Sequence, residues 1–154
     1  MTAWLIVPLA VLVQVILVNR VPLPGGGSPD LVLLAVTAVA MARGPVTGAV
    51  IGFCAGLLVD VMPPAAHPMG LYAFTLAAVG YVAGRGLGTP VTTVMLCVLL
   101  GPLLAAGLGG LISDPHVDVD TFTDQVPLTI AYTFFLSPLV MWWAARAGEP
   151  GYAT

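Results

Sequence analysis

The chain has 154 residues, of which 59% are hydrophobic and only 7% are charged, and it contains no lysine. A soluble domain carries about a quarter charged residues, so this composition excludes an ordinary water-facing surface and predicts an integral membrane protein. The net charge of −3 argues against nucleic acid as a partner, because phosphate binding needs a basic face. Two cysteines, Cys54 and Cys97, lie within apolar runs and are predicted to pack as small residues.

The first apolar run, over 2–18, is predicted to be a retained membrane span. It lacks the positively charged start and the small-residue cleavage site of a secretory signal peptide. After a loop rich in glycine and proline, Ser28-Pro29-Asp30 is typical of a helix start, with a capping hydroxyl, a proline at the first helical position and an acid. The second span, over 29–43, would be only about 22 Å long, so it is expected to lie inside the bundle.

Glycines four residues apart mark the third span, predicted over 45–60, and the fourth, predicted over 69–85, at positions Gly48, Gly52, Gly56, Gly80 and Gly84. Each step of four returns to nearly the same side of a helix, which leaves a flank of bare backbone. Such a flank lets a neighbouring helix approach closely in lipid. The hypothesis is that one glycine flank docks a single-span partner helix while the other packs internally.

Asp60 continues the four-residue step of the third span, and an intramembrane carboxylate is a candidate for function. It ends its helix beside the proline-rich segment 61–68, where water or loop amides can satisfy it. A structural cap or an interface role is therefore favoured over a proton relay. Asp60 and Asp30 are also the only pair from which an intramembrane aspartyl protease could be built, but neither lies deep in an apolar span, so catalysis is not expected.

The fifth span is predicted over 90–112 and the sixth over 125–146, separated by the polar segment 113–124. This segment is expected to lie in water. It alternates Asp and His but lacks the central glycine and terminal glutamate of a calcium loop, so no metal site is predicted. The sequence contains no pattern typical of a catalytic nucleophile or of a phosphate-binding loop. We therefore expect that the protein is not an enzyme and binds no cofactor. Three residues are typical of an anchor at the membrane interface, namely Trp142, Trp143 and Arg146.

The arginines predict the orientation of these six spans. Arg43, Arg85 and Arg146 fall on one side of the membrane, whereas Arg20 and the acidic segment fall on the other. Cytoplasmic loops carry an excess of basic residues, so the side with three arginines is predicted to be cytoplasmic. Both termini are then cytoplasmic as well.

An ordered series of short motifs carries a resemblance to a known family. The motifs are Pro-Asp-Leu at 29–31, Arg-Gly-Pro at 43–45, Gly-Leu-Leu-x-Asp at 56–60, Gly-Leu-Tyr-Ala at 70–73 and Gly-Tyr-x-x-Gly-Arg at 80–85. Taken in this order, they resemble the rod shape-determining protein MreD, particularly the forms found in actinobacteria. The length and the number of spans fit the same family.

The resemblance implies a subunit of the bacterial cell-elongation machinery in the plasma membrane. Its implied partners are a single-span MreC-like protein, the MreB filament, and the SEDS glycosyltransferase and penicillin-binding transpeptidase that build lateral peptidoglycan. It also implies a six-helix fold shared with the substrate-binding subunits of energy-coupling-factor transporters, and no catalytic residues. We therefore expect a non-enzymatic membrane scaffold.

The alternative function is a small-solute or vitamin-binding subunit of an energy-coupling-factor transporter. Such subunits meet their coupling subunit through small residues spaced four apart in the first helix, but here Ala3 is followed by Val7 and Ala10 by Gln14. A solute pocket would also need more polar groups than the spans offer. The scaffold is the favoured interpretation.

Overall fold

The structure is a computed structural model that describes residues 3–16, 28–62, 69–111 and 121–147. Every regular element within these ranges is helical, which confirms the predicted all-α class. The helices are α1 (Ala3–Ile16), α2 (Leu31–Arg43), α3 (Pro45–Val61), α4 (Leu71–Arg85), α5 (Pro90–Leu111) and α6 (Val126–Ala147), the last preceded by a π-helical turn at Thr121–Gln125.

The second helix, α2, is the centre of the bundle. It contacts all five other helices, and most of its side chains are buried. At 13 residues it is about 20 Å long, so both its ends and its sides can be covered by longer neighbours. The position inside the bundle that its short length predicts is confirmed.

The ends of α2 follow from local chemistry. Asp30 is the N-cap, and its Oδ1 accepts a hydrogen bond from the Leu33 backbone N–H at 2.8 Å. This corrects the expectation that Ser28 supplies the cap and Pro29 opens the helix, because the carboxylate three residues before Leu33 is the group that reaches the free amide. Gly44 ends the helix at a φ of +89°, and Pro45 opens α3 at a position where no N–H is needed.

Large apolar side chains cover much of the outside of the bundle. Phe53 on α3, Phe74 on α4 and Phe135 on α6 are 49%, 60% and 83% exposed. Among the described helices, α5 is the one long and apolar enough by itself to cross a membrane, while α2 and α3 are shorter apolar helices. An apolar outer face of this kind is stable against lipid rather than water.

Candidate functional site

Helices α3 and α4 form the most extensive pair in the described part of the chain, and their backbones touch through the glycines. A methyl group at Gly48 would overlap the Gly80 carbonyl oxygen, and one at Gly80 would overlap the Gly48 carbonyl oxygen. At Gly52 the obstacle is the Leu76 carbonyl. No side chain fits at these glycine positions, so the two helices pack there with their backbones in contact.

The contacts follow one antiparallel register. Positions four residues apart, from the N-cap of α3 onward, meet positions four residues apart in the reverse direction on α4. The pairs are Gly44 with Gly84, Gly48 with Gly80, Gly52 with Leu76, and Gly56 with Tyr72. Every pair has a glycine on at least one side. Where α4 carries a large residue, as at Leu76 and Tyr72, α3 supplies the bare backbone. The glycines spaced four apart on the two helices thus form two complementary sides of one contact.

This pairing corrects the hypothesis that one glycine flank docks a partner helix while the other packs internally. Each flank covers the other, because the glycines of α3 and those of α4 lie on opposite sides of the same contact. Gly48 also faces the Ala40 side chain of α2, so the α3 flank meets two helices of the same chain. The contact that these glycines make is therefore internal to the chain.

Asp60 caps the next helix. Its Oδ2 accepts hydrogen bonds from the backbone N–H groups of Gly70 at 2.9 Å and Ala73 at 3.1 Å, and its Oδ1 accepts one from Tyr72 at 3.3 Å. Gly70 has a left-handed conformation and no side chain to cap α4. The carboxylate at the end of α3 therefore satisfies the free amides at the start of α4, as an N-cap residue would.

A buried polar junction joins α1 and α6 to the start of α2. The Gln14 side-chain amide donates to the Pro29 carbonyl at 2.9 Å and accepts from the Leu31 N–H at 2.9 Å. From the other side, the Thr133 hydroxyl accepts from the Asp30 N–H at 3.0 Å. Sequence reasoning missed this junction. Its signal was Gln14, the one strongly polar side chain of α1, together with the hydroxyl groups of α6, since such groups need partners in a dry environment.

The remaining candidate residues are distributed over the bundle. Cys97 is buried and its thiol points to the Val79 carbonyl at 3.9 Å, whereas Cys54 is exposed on α3, which corrects its predicted packing role. Trp142 is about half exposed near the end of α6. The side chains of Trp143 and Arg146 lie outside the described part of the structure, so the interfacial anchor stays a prediction.

No group of three metal-ligating side chains occurs among the described residues. The sequence predicts no metal site in the acidic segment, but residues 113–120 of that segment lie outside the described ranges. Asp124, at the described end of that segment, is exposed. The two carboxylates at helix ends, Asp30 and Asp60, both accept hydrogen bonds from backbone amides.

A family model described as the rod shape-determining protein MreD matches residues 1–145 of the chain. The chain belongs to the MreD family. This membership places it among membrane proteins that determine rod shape, and it agrees with the apolar α5 helix. No curated protein and no solved structure matches the chain. The expected likeness of this MreD family member to the substrate-binding subunits of energy-coupling-factor transporters therefore finds no support.

Proposed function

We propose that this MreD family member is a non-enzymatic scaffold with six membrane-spanning helices in the bacterial plasma membrane. It supports rod shape and lateral peptidoglycan synthesis as a subunit of the cell-elongation complex. An MreC-like single-span protein is its principal partner, and the SEDS glycosyltransferase, the penicillin-binding transpeptidase and MreB are further ones. The observation that carries the proposal is the family match, which spans nearly the whole chain.

The packing of α3 and α4 indicates which surfaces are available for a partner helix. The glycine flanks are used internally, so on these two helices the outward sides are what remains for a partner. On α3 the outward side presents large apolar residues at helical spacing, namely Val46, Val50, Phe53 and Leu57. On α4 Phe74 is exposed as well. A single-span helix binding here would replace lipid contacts with side-chain packing.

Photocrosslinking in living cells tests this proposal. A photoreactive amino acid placed at Phe53 or Phe74 is expected to capture a single-span membrane protein of the elongation complex. The matched control positions are Leu99 and Leu103, which are exposed and apolar on α5. Equal capture of that protein from both sets of positions would show that α3 and α4 are not the docking surface.

Depletion of the chain tests the function itself. Cells of the source bacterium are expected to lose their rod shape when the protein is depleted and to regain it when the wild-type chain is restored. The readout is cell width by microscopy, with incorporation of labelled peptidoglycan precursors along the side wall as a second measure. Rods of normal width after depletion would contradict the proposed function.

A further inference from the structure

The end of the bundle opposite the two capping carboxylates carries a pair of arginines held close together. Arg43 ends α2 and Arg85 ends α4, and both are exposed. Their neighbours Gly44 and Gly84 are in direct backbone contact. Because consecutive α-carbons are 3.8 Å apart, the two arginine α-carbons lie within about 13 Å of each other. Two long side chains can converge across such a distance.

This arginine end, formed by Arg43, Gly44, Gly84 and Arg85, has a net positive charge. No acidic residue occurs in the turn 43–47 or in the turn 84–92. Two helices end and two begin here, so the helix dipoles offset one another and leave the guanidinium charges. At the opposite end, Asp30 and Asp60 are bonded to backbone amides. The charges of the described bundle are thus separated along its length.

Tyr81 supports a position of the arginine end at the level of lipid headgroups. The Arg85 guanidinium lies over the Tyr81 ring, 5.8 Å from its centre, and the ring is partly exposed one turn below the helix end. An exposed tyrosine below a basic residue is typical of the membrane interface, where the ring contacts the acyl chains and the cation contacts phosphate. The stacking also restricts the guanidinium, which lowers the entropy lost on binding an anion.

We propose that Arg43 and Arg85 together bind the phosphate headgroup of an anionic phospholipid. Guanidinium groups bind phosphate oxygens through paired, charge-assisted hydrogen bonds, and a headgroup phosphate is the anion present at this depth. The inference rests on the proposed function only in requiring that the chain spans the membrane. The proposed shape-determining role does not by itself specify any ligand for the arginine end.

The test is lipid binding by the purified full-length chain, followed by native mass spectrometry. Phosphatidylglycerol is compared with phosphatidylcholine carrying the same acyl chains. We expect about 20-fold tighter binding of phosphatidylglycerol, and a loss of about fivefold for each of Arg43→Gln and Arg85→Gln. The Arg43→Lys and Arg85→Lys variants keep the charge but lose the paired hydrogen bonds of the guanidinium, so their preference should lie between that of the wild-type chain and that of the Gln variants.

Arg20→Gln is the matched control, because it also removes one arginine, at a position in the sequence between α1 and α2 that is not part of the arginine end. It should leave the preference unchanged. Glycerol 1-phosphate tests whether a free phosphate ester is the ligand, and displacement of the lipid at equal concentration would overturn the assignment to lipid. The comparison of the two lipids on the wild-type chain needs no variant, so a misfolded variant does not remove the test.

Equal affinity of the wild-type chain for the two lipids would overturn the inference. So would capture of an acidic protein that depends on Arg43 and Arg85 in the absence of any lipid preference. Both outcomes leave the proposed function standing if the chain still fractionates with membranes and still restores rod shape. Loss of membrane fractionation by the wild-type chain would instead count against the proposed function.

Discussion

At Gly52 the backbone of α4 occupies the space that a side chain would take. Gly52→Ala is expected to lower the free energy of unfolding by about 1–3 kcal/mol, because the added methyl group would overlap the Leu76 carbonyl and the two helices must separate. The measurement is thermal or denaturant unfolding of the purified protein in detergent. Gly52→Leu should prevent the pair from forming.

Gly107 on α5 provides the matched control for this substitution. A methyl group there would meet nothing within 4 Å, and its helical conformation suits alanine. Gly107→Ala should leave stability unchanged or raise it by up to about 1 kcal/mol. Equal destabilisation by the two alanine variants would mean that backbone packing at Gly52 is not what holds α3 against α4.

The Asp60 carboxylate accepts hydrogen bonds from three backbone amides. Substitutions that keep or remove its acceptor oxygen can show whether the protein needs the cap or the negative charge. Asn keeps one acceptor oxygen, which can still accept from the Gly70 and Ala73 amides, but its NH2 group cannot accept from the Tyr72 N–H. Asp60→Asn should therefore cost about 1 kcal/mol and keep most of the rod-shape activity. Asp60→Ala removes the acceptor and should lower the free energy of unfolding by about 1–3 kcal/mol. If the Asn and Ala variants are equally impaired, the negative charge rather than the cap is what the protein requires.

At the scale of the helix, the sequence was sufficient to locate most elements, because prolines, glycines and acids mark their ends. Gly44-Pro45 separates α2 from α3, and Asp30 precedes the first residue of α2. The assignment of the cap to Ser28 was wrong since hydroxyl and carboxylate are both good caps and stand two residues apart. Only the position of the free Leu33 amide decides between them.

The partner of each glycine flank was harder to predict. A step of four shows which residues share one side of a helix, but it does not show what covers that side. The short connection between α3 and α4 did favour an antiparallel pair, since helices joined by few residues usually pack together. Combined with glycines on both helices, it could have predicted the register in which Gly48 meets Gly80.

The junction at the start of α2 ties three helices together, so its loss should affect the whole bundle rather than one element. Thr133→Val keeps the shape of the side chain but removes the acceptor for the Asp30 N–H, leaving a part-buried donor without its partner. We expect a loss of about 1–3 kcal/mol in unfolding free energy, measured in detergent as before. Thr129→Val, one turn earlier on α6 at a partly exposed site, should cost less than half as much.

At the scale of the whole molecule, α3 and α4 of the described bundle pack with their backbones in contact, and large apolar side chains cover its outer surface. The two ends of the bundle carry side chains of opposite charge, with exposed arginines at one end and carboxylates at the other. Composition predicted the apolar exterior, because so few charged residues cannot cover a water-facing surface. The placement of Asp60 on the amides of α4 could not be read from composition, because it depends on how the two helices meet.

The separation of charge along the bundle leads to a prediction about orientation. If the arginine end faces the cytoplasm, Thr89 in the exposed turn before α5 is cytoplasmic and Asp124 before α6 is on the outer side. In a Cys54→Ala background, where the buried Cys97 is protected, Asp124→Cys should react with a membrane-impermeant maleimide in intact spheroplasts. Thr89→Cys should react only after lysis. The reverse labelling pattern would invert the orientation and place both arginines outside the cell, and labelling of both positions in intact spheroplasts would mean that α5 does not cross the membrane.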